Sequence, residues 1–161
     1  MRVLTIGGYG FTEEGFVRAL GAAGVNVLVD VRQRRGMRGA RYAFLNRERL
    51  QTSMSAAGIR YVHARELAPT ADIRDAQKRE DANIGIGKRD RSRLSPEFVR
   101  RYQTEILSRF DAMAFRGVLN EATAVALFCV EGHPDACHRS LAAEHIARAF
   151  GEEGPVEHLR P

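Results

Sequence analysis

The chain lacks the hydrophobic segments that a membrane-spanning or secreted protein needs. No apolar run among its 161 residues approaches the roughly 18 residues that span a bilayer. The apolar run in MRVLTIGGYG is too short for a signal peptide and is typical of a first strand instead. Cysteine is scarce, at two residues, and without a secretory signal both are expected to be reduced thiols. We therefore expect a cytoplasmic protein that makes no membrane contact.

The standard cofactor and metal motifs are missing as well. The dinucleotide fingerprint GxGxxG does not occur, although Gly8 and Gly10 have the spacing of its first part, and no Walker lysine motif occurs. A phosphatase loop starting at Cys129 would need arginine at the position that Asp135 occupies. No CxxC pair is present either. The sequence consequently predicts no cofactor.

What the chain has in excess is positive charge, supplied mostly by arginine. The formal net charge is +5 and the sequence pI is about 9.8. An excess of this kind favours an anionic partner, either a phosphate-containing small molecule or a nucleic acid. A merely solvated, net-positive surface would explain the same composition.

The apolar pattern indicates one α/β domain over residues 1–161. Short apolar, often β-branched runs at 3–6, 25–31, 59–64, 125–130 and 156–159 predict strands. Helix starts between them are indicated by Thr12, Asn46 and the Ser95-Pro96 pair. This alternation predicts a mostly parallel sheet with helices on both faces, in a Rossmann-like three-layer arrangement. Residues 68–94 show no sustained period and are interpreted as a long charged insertion that could contain a short helix.

Two polar clusters follow the first two predicted strands, where parallel sheets bind ligands. In GGYG, residues 7–10, Gly8 would allow close backbone approach and Tyr9 would stack on or bond a ligand, unless the segment is only a tight turn. Asp30 and Arg32 alternate along the second strand and could project the same way. Arg32 is also the first residue of a stretch, residues 32–41, that contains five arginines and no acidic residue. Its guanidinium groups suit phosphate or carboxylate oxygens, and an ion pair with a solvated loop is the alternative.

The third cluster is CVEGHPDACHRS, residues 129–140, after the fourth strand. We expect Asp135 to cap the next helix, which would place Cys137 in its first turn, where free amides stabilise a thiolate. Four interpretations remain open: an anion site at a helix start, a redox pair of Cys129 and Cys137, a structural turn, and a zinc site. The zinc site would use Cys129, His133, Cys137 and His138, although adjacent ligands at 137 and 138 would strain a tetrahedron.

Several of these segments together resemble the domain-of-unknown-function 488 family. The resemblance rests on Thr5-Ile6-Gly7, Leu28 to Arg32, Leu45-Asn46, Gly58 to His63 and the C-x-E-x-x-P-x-x-C-H-R motif of Cys129 to Arg139. It covers roughly residues 3–150, and its most specific part is the last motif. Two departures are Phe44, one residue early, and the segment 68–94 in place of a short spacer. The resemblance implies a single α/β domain of bacterial and archaeal cytoplasmic proteins, but no particular reaction.

These observations lead to three hypotheses. The first is an enzyme acting on a phosphate-bearing substrate, a nucleotide or a nucleic-acid base, at the carboxyl ends of the strands. The second is a nucleic-acid-binding module without catalysis, using residues 32–41 with Lys88, Arg89, Arg91 and Arg93. The third is a thiol redox sensor. For the enzyme, the predicted catalytic residues are Asp30, Glu131 and Cys137, and the predicted substrate-binding residues are Gly8, Tyr9, Arg32, Arg38, Arg41, His138 and Arg139.

Overall fold

A computed structural model describes residues 1–87 and 90–161 of the chain. Within these residues five parallel strands form one sheet, in the order β3-β2-β4-β1-β5. The strands are β1 (Arg2–Gly7), β2 (Val27–Asp30), β3 (Arg60–His63), β4 (Ala124–Cys129) and β5 (Glu157–Leu159). The helices are α1 (Glu13–Ala22), α2 (Arg47–Ala56), α3 (Ala71–Asn83), α4 (Pro96–Glu105), α5 (Ala112–Val118) and α6 (His138–Ala149). The predicted α/β fold with a parallel sheet is confirmed.

The helices cover both faces of the sheet because its central strands are apolar on both sides. On one face α1 and α2 bury Phe16, Leu20, Leu50 and Met54 against β1, β2 and β4. On the other face α4, α5 and α6 pack with α3 around the second half of the core. The result is a three-layer arrangement. Among the described helices, none combines the length and apolar character that crossing a bilayer requires.

Local capping sets where α1 and α4 begin. The Thr12 hydroxyl accepts a hydrogen bond from the Gly15 amide, and the Ser95 hydroxyl accepts one from the Phe98 amide. A side-chain oxygen at this position satisfies an amide that has no partner inside the helix. Both helix starts match the sequence prediction.

The segment 68–94 is more regular than its sequence suggests. It contains α3, which runs for 13 residues and is capped by Thr70, whose hydroxyl accepts from the Ile73 amide. The buried side of α3 includes the polar residues Gln77 and Asp81. Gln77 donates to Asp81, and its oxygen accepts from the Ser95 amide, which joins α3 to the start of α4. Because polar residues occupy part of its inner face, no hydrophobic period marks this helix.

The start of α6 differs from the prediction. Residues Pro134–Ala136 form a separate 3₁₀ turn, and Cys137 follows in an extended conformation, with φ −138° and ψ 137°. The helix therefore begins at His138, and the capping position belongs to Cys137 rather than to Asp135, which is exposed. The expected placement of Cys137 inside the first turn is wrong by one residue, because the 3₁₀ turn ends before α6 begins.

Candidate functional site

The three polar clusters meet at the carboxyl edge of the sheet because β4 lies between β1 and β2. The register pairs Gly7 with Cys129 and Asp30 with Phe128, so these strand ends are level. The chain after β1 is held to the chain after β4: the Tyr9 amide donates to the Val130 carbonyl at 2.9 Å. Strand order thus brings together segments that are about a hundred residues apart in sequence.

At the end of β2, Asp30 and Arg32 form a buried ion pair. The Arg32 Nε and Nη2 atoms lie 2.9 and 2.7 Å from the two Asp30 oxygens, and the Arg32 amide also donates to this carboxylate. Tyr61 donates its hydroxyl to Asp30 at 2.5 Å, and burial, followed by the charge of Asp30, raises the pKa of Tyr61 to about 12. The guanidinium carbon of Arg32 lies 4.6 Å from the centre of the Phe128 ring. The Asp30 carboxylate and the Arg32 guanidinium are consequently paired with each other in the interior of the protein.

Arg139, near the start of α6, is the largest fully buried side chain of the described residues. It donates to the backbone carbonyls of Glu131 and Gly132, while no hydrogen-bond partner for its Nε is found in the described part of the chain. A side chain at Gly7 would place its Cβ 2.2 Å from the Glu131 carbonyl oxygen and 3.1 Å from Arg139 Nη2. Arg139 therefore fixes the loop after β4 against the end of β1, and Gly7 leaves room for that contact.

Two thiols and an imidazole gather where β4 ends and α6 begins. The donor atoms of Cys129, Cys137 and His138 lie within 4.8 Å of one another, and all three residues are buried. Cys137 Sγ is 3.9 Å from His138 Nδ1, and His138 Nε2 is 3.1 Å from the Val31 carbonyl oxygen. His133, the fourth residue of the zinc site considered from sequence, is outside this group, and its Nδ1 accepts from the Asp135 amide.

The two cysteines have opposite acid–base behaviour. Burial alone would raise the pKa of the Cys137 thiol, but a hydrogen bond from Cys129 and the positive field of His138 and Arg139 bring it well below its usual value. The pKa of Cys129 lies well above its usual value, because Cys129 is the donor in that hydrogen bond and is also buried. Of the pair, Cys137 is the one that can carry a thiolate.

Above these buried groups lies an open cavity of about 430 Å³. We call it the arginine cavity; its lining residues are Tyr9, Arg38, Gly39, Ala40, Arg41, Tyr42, Arg91, Glu131, Gly132 and His133. Tyr9 and Tyr42 meet edge to face, with ring centres 5.0 Å apart, and Arg41 lies over the Tyr42 ring at 5.3 Å. Arg91 is paired with Asp81 of α3.

The loop that carries Arg38 and Arg41 is fastened to the start of α2. The Met37 amide donates to the Asn46 side-chain oxygen, and the Arg47 amide donates to the Arg35 carbonyl at 3.0 Å. Asn46 occupies the capping position of α2 as expected, yet its side chain binds this loop rather than a helix amide. A short 3₁₀ segment, Ala40–Leu45, then turns the chain toward α2.

The structure divides the residues predicted from sequence into two groups. Tyr9, Arg38, Arg41 and Glu131 line the arginine cavity. Glu131 is itself buried, with 6% of its surface exposed. The other predicted residues are buried and do not line the cavity: Gly8, Asp30, Arg32, Cys137, His138 and Arg139. Gly8 is buried and Leu45 packs closely against it, since a Cβ at Gly8 would lie 2.4 Å from Leu45 Cδ1. Tyr42 was not predicted, although an aromatic residue beside the arginine loop is a usable signal.

Arg91 was predicted only as part of a nucleic-acid-binding face. Of the other residues in that hypothesis, Lys88 and Arg89 lie outside the described residues. Arg93 is exposed.

No curated protein and no solved structure matches the chain. The family described as "Domain of unknown function DUF488" has a model that matches residues 12–146. The match starts after β1, so the motif Thr5-Ile6-Gly7 lies outside it, whereas Cys129 to Arg139 lies inside. Since the matched residues make up most of the 161-residue chain, and the resemblance seen in the sequence is thereby confirmed, this chain belongs to the DUF488 family.

Proposed function

We propose that this chain is an enzyme that binds a phosphate-bearing substrate of nucleotide size in the arginine cavity. The observation that carries the proposal is the cavity itself, at the carboxyl edge of a parallel sheet, where open α/β folds bind ligands. Its volume of about 430 Å³ lies within the range of small-molecule sites. Its lining combines cationic, aromatic and acidic side chains, which is the mixture that a nucleotide requires.

Arg38 and Arg41 would bind the phosphate. Both are exposed on the lining, and within residues 1–87 and 90–161 no hydrogen bond or ion pair engages either guanidinium group. A guanidinium group matches two phosphate oxygens at once, which favours arginine over lysine for this contact. Arg91 would add less net charge because Asp81 already balances it.

Tyr9 and Tyr42 would receive the base. Their edge-to-face contact presents two aromatic surfaces at an angle on one side of the cavity. Nucleobases stack on aromatic side chains with little dependence on base identity. The hydrogen bond from the Gly10 amide to the Tyr42 hydroxyl, at 3.3 Å, fixes one of these rings.

Glu131 is the carboxylate that lines the arginine cavity in the described part of the chain. Its backbone is held by Arg139, so the side chain is carried on a fixed loop. A carboxylate at this place would accept a proton from a substrate hydroxyl, or bind that hydroxyl, as general-base chemistry requires. Asp30 and Cys137 are buried and outside the lining, so we assign Asp30 the positioning of Arg32 and give Cys137 no part in this reaction.

Binding of AMP, ATP and inorganic phosphate by isothermal titration calorimetry tests the proposal. Each charge-assisted hydrogen bond is worth about 1.5–3 kcal/mol, so Arg38→Ala and Arg41→Ala should each weaken nucleotide binding by roughly tenfold or more. Arg109→Ala is the matched control: it removes the same charge from an exposed residue in a different cavity and should leave the affinity within about twofold. Equal affinity in the wild type and both cavity variants contradicts the proposal.

Catalysis needs its own readout, because binding alone would not identify an enzyme. Incubation with a nucleotide panel, followed by mass spectrometry of the products, should show turnover by the wild type. Glu131→Gln should lose most of that turnover, since general-base contributions are about 10²–10⁴-fold, while binding changes little. Turnover that survives in Glu131→Gln removes Glu131 from the chemistry.

A nucleic-acid-binding module without catalysis is the second candidate. It is favoured by the exposure of Arg34, Arg38 and Arg41 along one loop. Phosphate contacts would make the affinity fall by about 0.7–0.9 log units per contact for each log unit of salt. A filter-binding titration with single- and double-stranded oligonucleotides measures this slope. Absence of retention at low salt excludes the module and leaves the small-substrate proposal intact.

A further inference from the structure

Cys129, Cys137 and His138 form a compact group of metal-binding side chains that the arginine cavity does not use. We call it the thiol–imidazole cluster. Its donor atoms lie within 4.8 Å of one another, and Cys137 Sγ is 3.9 Å from His138 Nδ1. Around a tetrahedral zinc ion, with Zn–S near 2.3 Å and Zn–N near 2.0–2.1 Å, such atoms stand roughly 3.5–3.8 Å apart. The cluster therefore needs only small side-chain adjustments to surround an ion.

The orientation of His138 is the second observation. Its Nε2 lies 3.1 Å from the Val31 carbonyl oxygen, which can only accept a hydrogen bond. Nε2 therefore carries a proton. Nδ1 faces Cys137, and when it binds zinc it gives up its own proton, which leaves a neutral ring whose Nδ1 lone pair points toward the ion. Histidines that bind metals characteristically donate their other ring N–H to a backbone carbonyl or carboxylate in this way.

The charge balance of the cluster suits a divalent ion in a buried place. Cys129, Cys137 and His138 expose only 6%, 2% and 8% of their surface. Two thiolates, one neutral imidazole and Zn²⁺ sum to zero charge, so the occupied cluster avoids the large cost of an uncompensated buried charge. Thiolate and imidazole donors are also the types that zinc prefers.

We propose that Cys129, Cys137 and His138 bind one zinc ion through three protein ligands. The adjacency of residues 137 and 138, which argued against a site from sequence, is accommodated because Cys137 is extended while His138 starts α6. The two side chains therefore leave the backbone in different directions and meet Cys129 from β4. Among the described residues the group contains no fourth protein donor. Three protein ligands with one further position is the arrangement of zinc sites that keep a place for water or a substrate.

Metal analysis of the full chain purified with added zinc tests this inference. Inductively coupled plasma mass spectrometry should find about one zinc per chain after exhaustive dialysis. Substitution with Co²⁺ should give a near-ultraviolet thiolate-to-cobalt charge-transfer band, which reports cysteine ligation directly. In Cys129→Ser, Cys137→Ser and His138→Gln, affinity measured by chelator competition should fall by tenfold or more. His133→Gln, in the same motif but outside the cluster, should bind like the wild type.

The zinc proposal can be tested even if one of the cluster variants does not fold. If a cysteine variant fails to fold, the cobalt spectrum of the wild type still shows whether thiolates bind the ion. Absence of stoichiometric metal together with absence of that band overturns the proposal, as does equal affinity in all three cluster variants. Formation of a Cys129–Cys137 disulfide by mild peroxide, which is reduced to water, at the same rate with and without zinc would show a redox pair instead. Nucleotide binding in the arginine cavity uses other residues, so the two proposals fail separately.

Discussion

Replacing Asp30 with asparagine tests the buried ion pair at the end of β2. The Asp30 side chain is fully buried and that of Arg32 is 3% exposed. Asparagine retains one acceptor oxygen, but its amide group would face the Arg32 guanidinium, a donor opposite a donor. Arg32 Nη1 already lacks a hydrogen-bond partner in the described residues. The variant therefore leaves a buried positive charge without its counter-charge.

The expected loss follows from the cost of stranding one member of a buried pair. Removing one partner typically costs about 3–5 kcal/mol of unfolding free energy, because the other charge stays buried and unpaired. For a domain of this size, each kcal/mol lowers the melting temperature by about 2–4 °C, so Asp30→Asn should melt roughly 6–20 °C below the wild type. The double variant Asp30→Asn with Arg32→Met also removes the unpaired charge and should recover part of the lost unfolding free energy.

Urea unfolding followed by circular dichroism measures the effect, with the midpoint and slope compared across variants. Tyr61→Phe keeps the ion pair but removes one hydrogen bond to Asp30, so it should cost only about 0.5–1.5 kcal/mol, and it stays measurable if Asp30→Asn does not fold. Glu14→Gln is the control, since the Glu14–Arg18 pair is exposed on α1 and should contribute little. A loss below about 1 kcal/mol in Asp30→Asn would refute the assignment of a stabilising buried pair.

Two further predictions concern the supports of the cavity. Gly7→Ala should destabilise the chain by about 1–3 kcal/mol in the same urea assay, since a Cβ would lie 2.2 Å from the Glu131 carbonyl oxygen. Gly21→Ala, with nothing within 4 Å, should be neutral or stabilising, and equal effects would contradict the argument. Burial acts to raise the pKa of Asp81, but hydrogen bonds from Arg91 and Gln77 and the Arg91 charge lower it overall. The ionised Asp81 therefore stabilises the folded chain at pH values above the ordinary aspartate pKa. This stabilisation is lost as the pH falls through the lowered pKa of the folded state, so the unfolding free energies of the wild type and Asp81→Asn should converge in acid.

The sequence was sufficient for the elements whose inner faces are apolar. The strands β1 to β4 were located within two residues at each end because buried parallel strands read as short continuous apolar runs. The starts of α1 and α4 were located because Thr12 and Ser95 have a local capping role that neighbouring residues reveal. The length of α3 was underestimated because the polar residues Gln77 and Asp81 lie on its buried side and interrupt the apolar pattern. Gln77 is satisfied there by Asp81 and by the Ser95 amide, which is distant in sequence. No prediction covered α5, which buries only Ala112 and Phe115.

For the site, residue chemistry identified the candidate residues but did not show which of them are buried and which line the arginine cavity. Arg32 and Arg38 belong to the same arginine-rich stretch, yet Arg32 is buried beside Asp30 while Arg38 lines the arginine cavity. The spacing of Asp30 and Arg32 allowed an inward ion pair but left ligand binding by Arg32 open, because burial of the pair depends on Tyr61 and Phe128 from other strands. Sequence likewise offered Cys129 and Cys137 with two histidines, and only the fold selects His138 over His133.

The sequence by itself determined a parallel α/β domain with positive charge and polar motifs at its strand ends, because periodicity, capping and composition are local properties. The tertiary structure alone decided that β4 enters between β1 and β2. Strand order is not written in any one strand, since every central strand is apolar on both sides and would pair with any other. That insertion places the loop of Glu131 beside Tyr9, and the start of α6 against the end of β2.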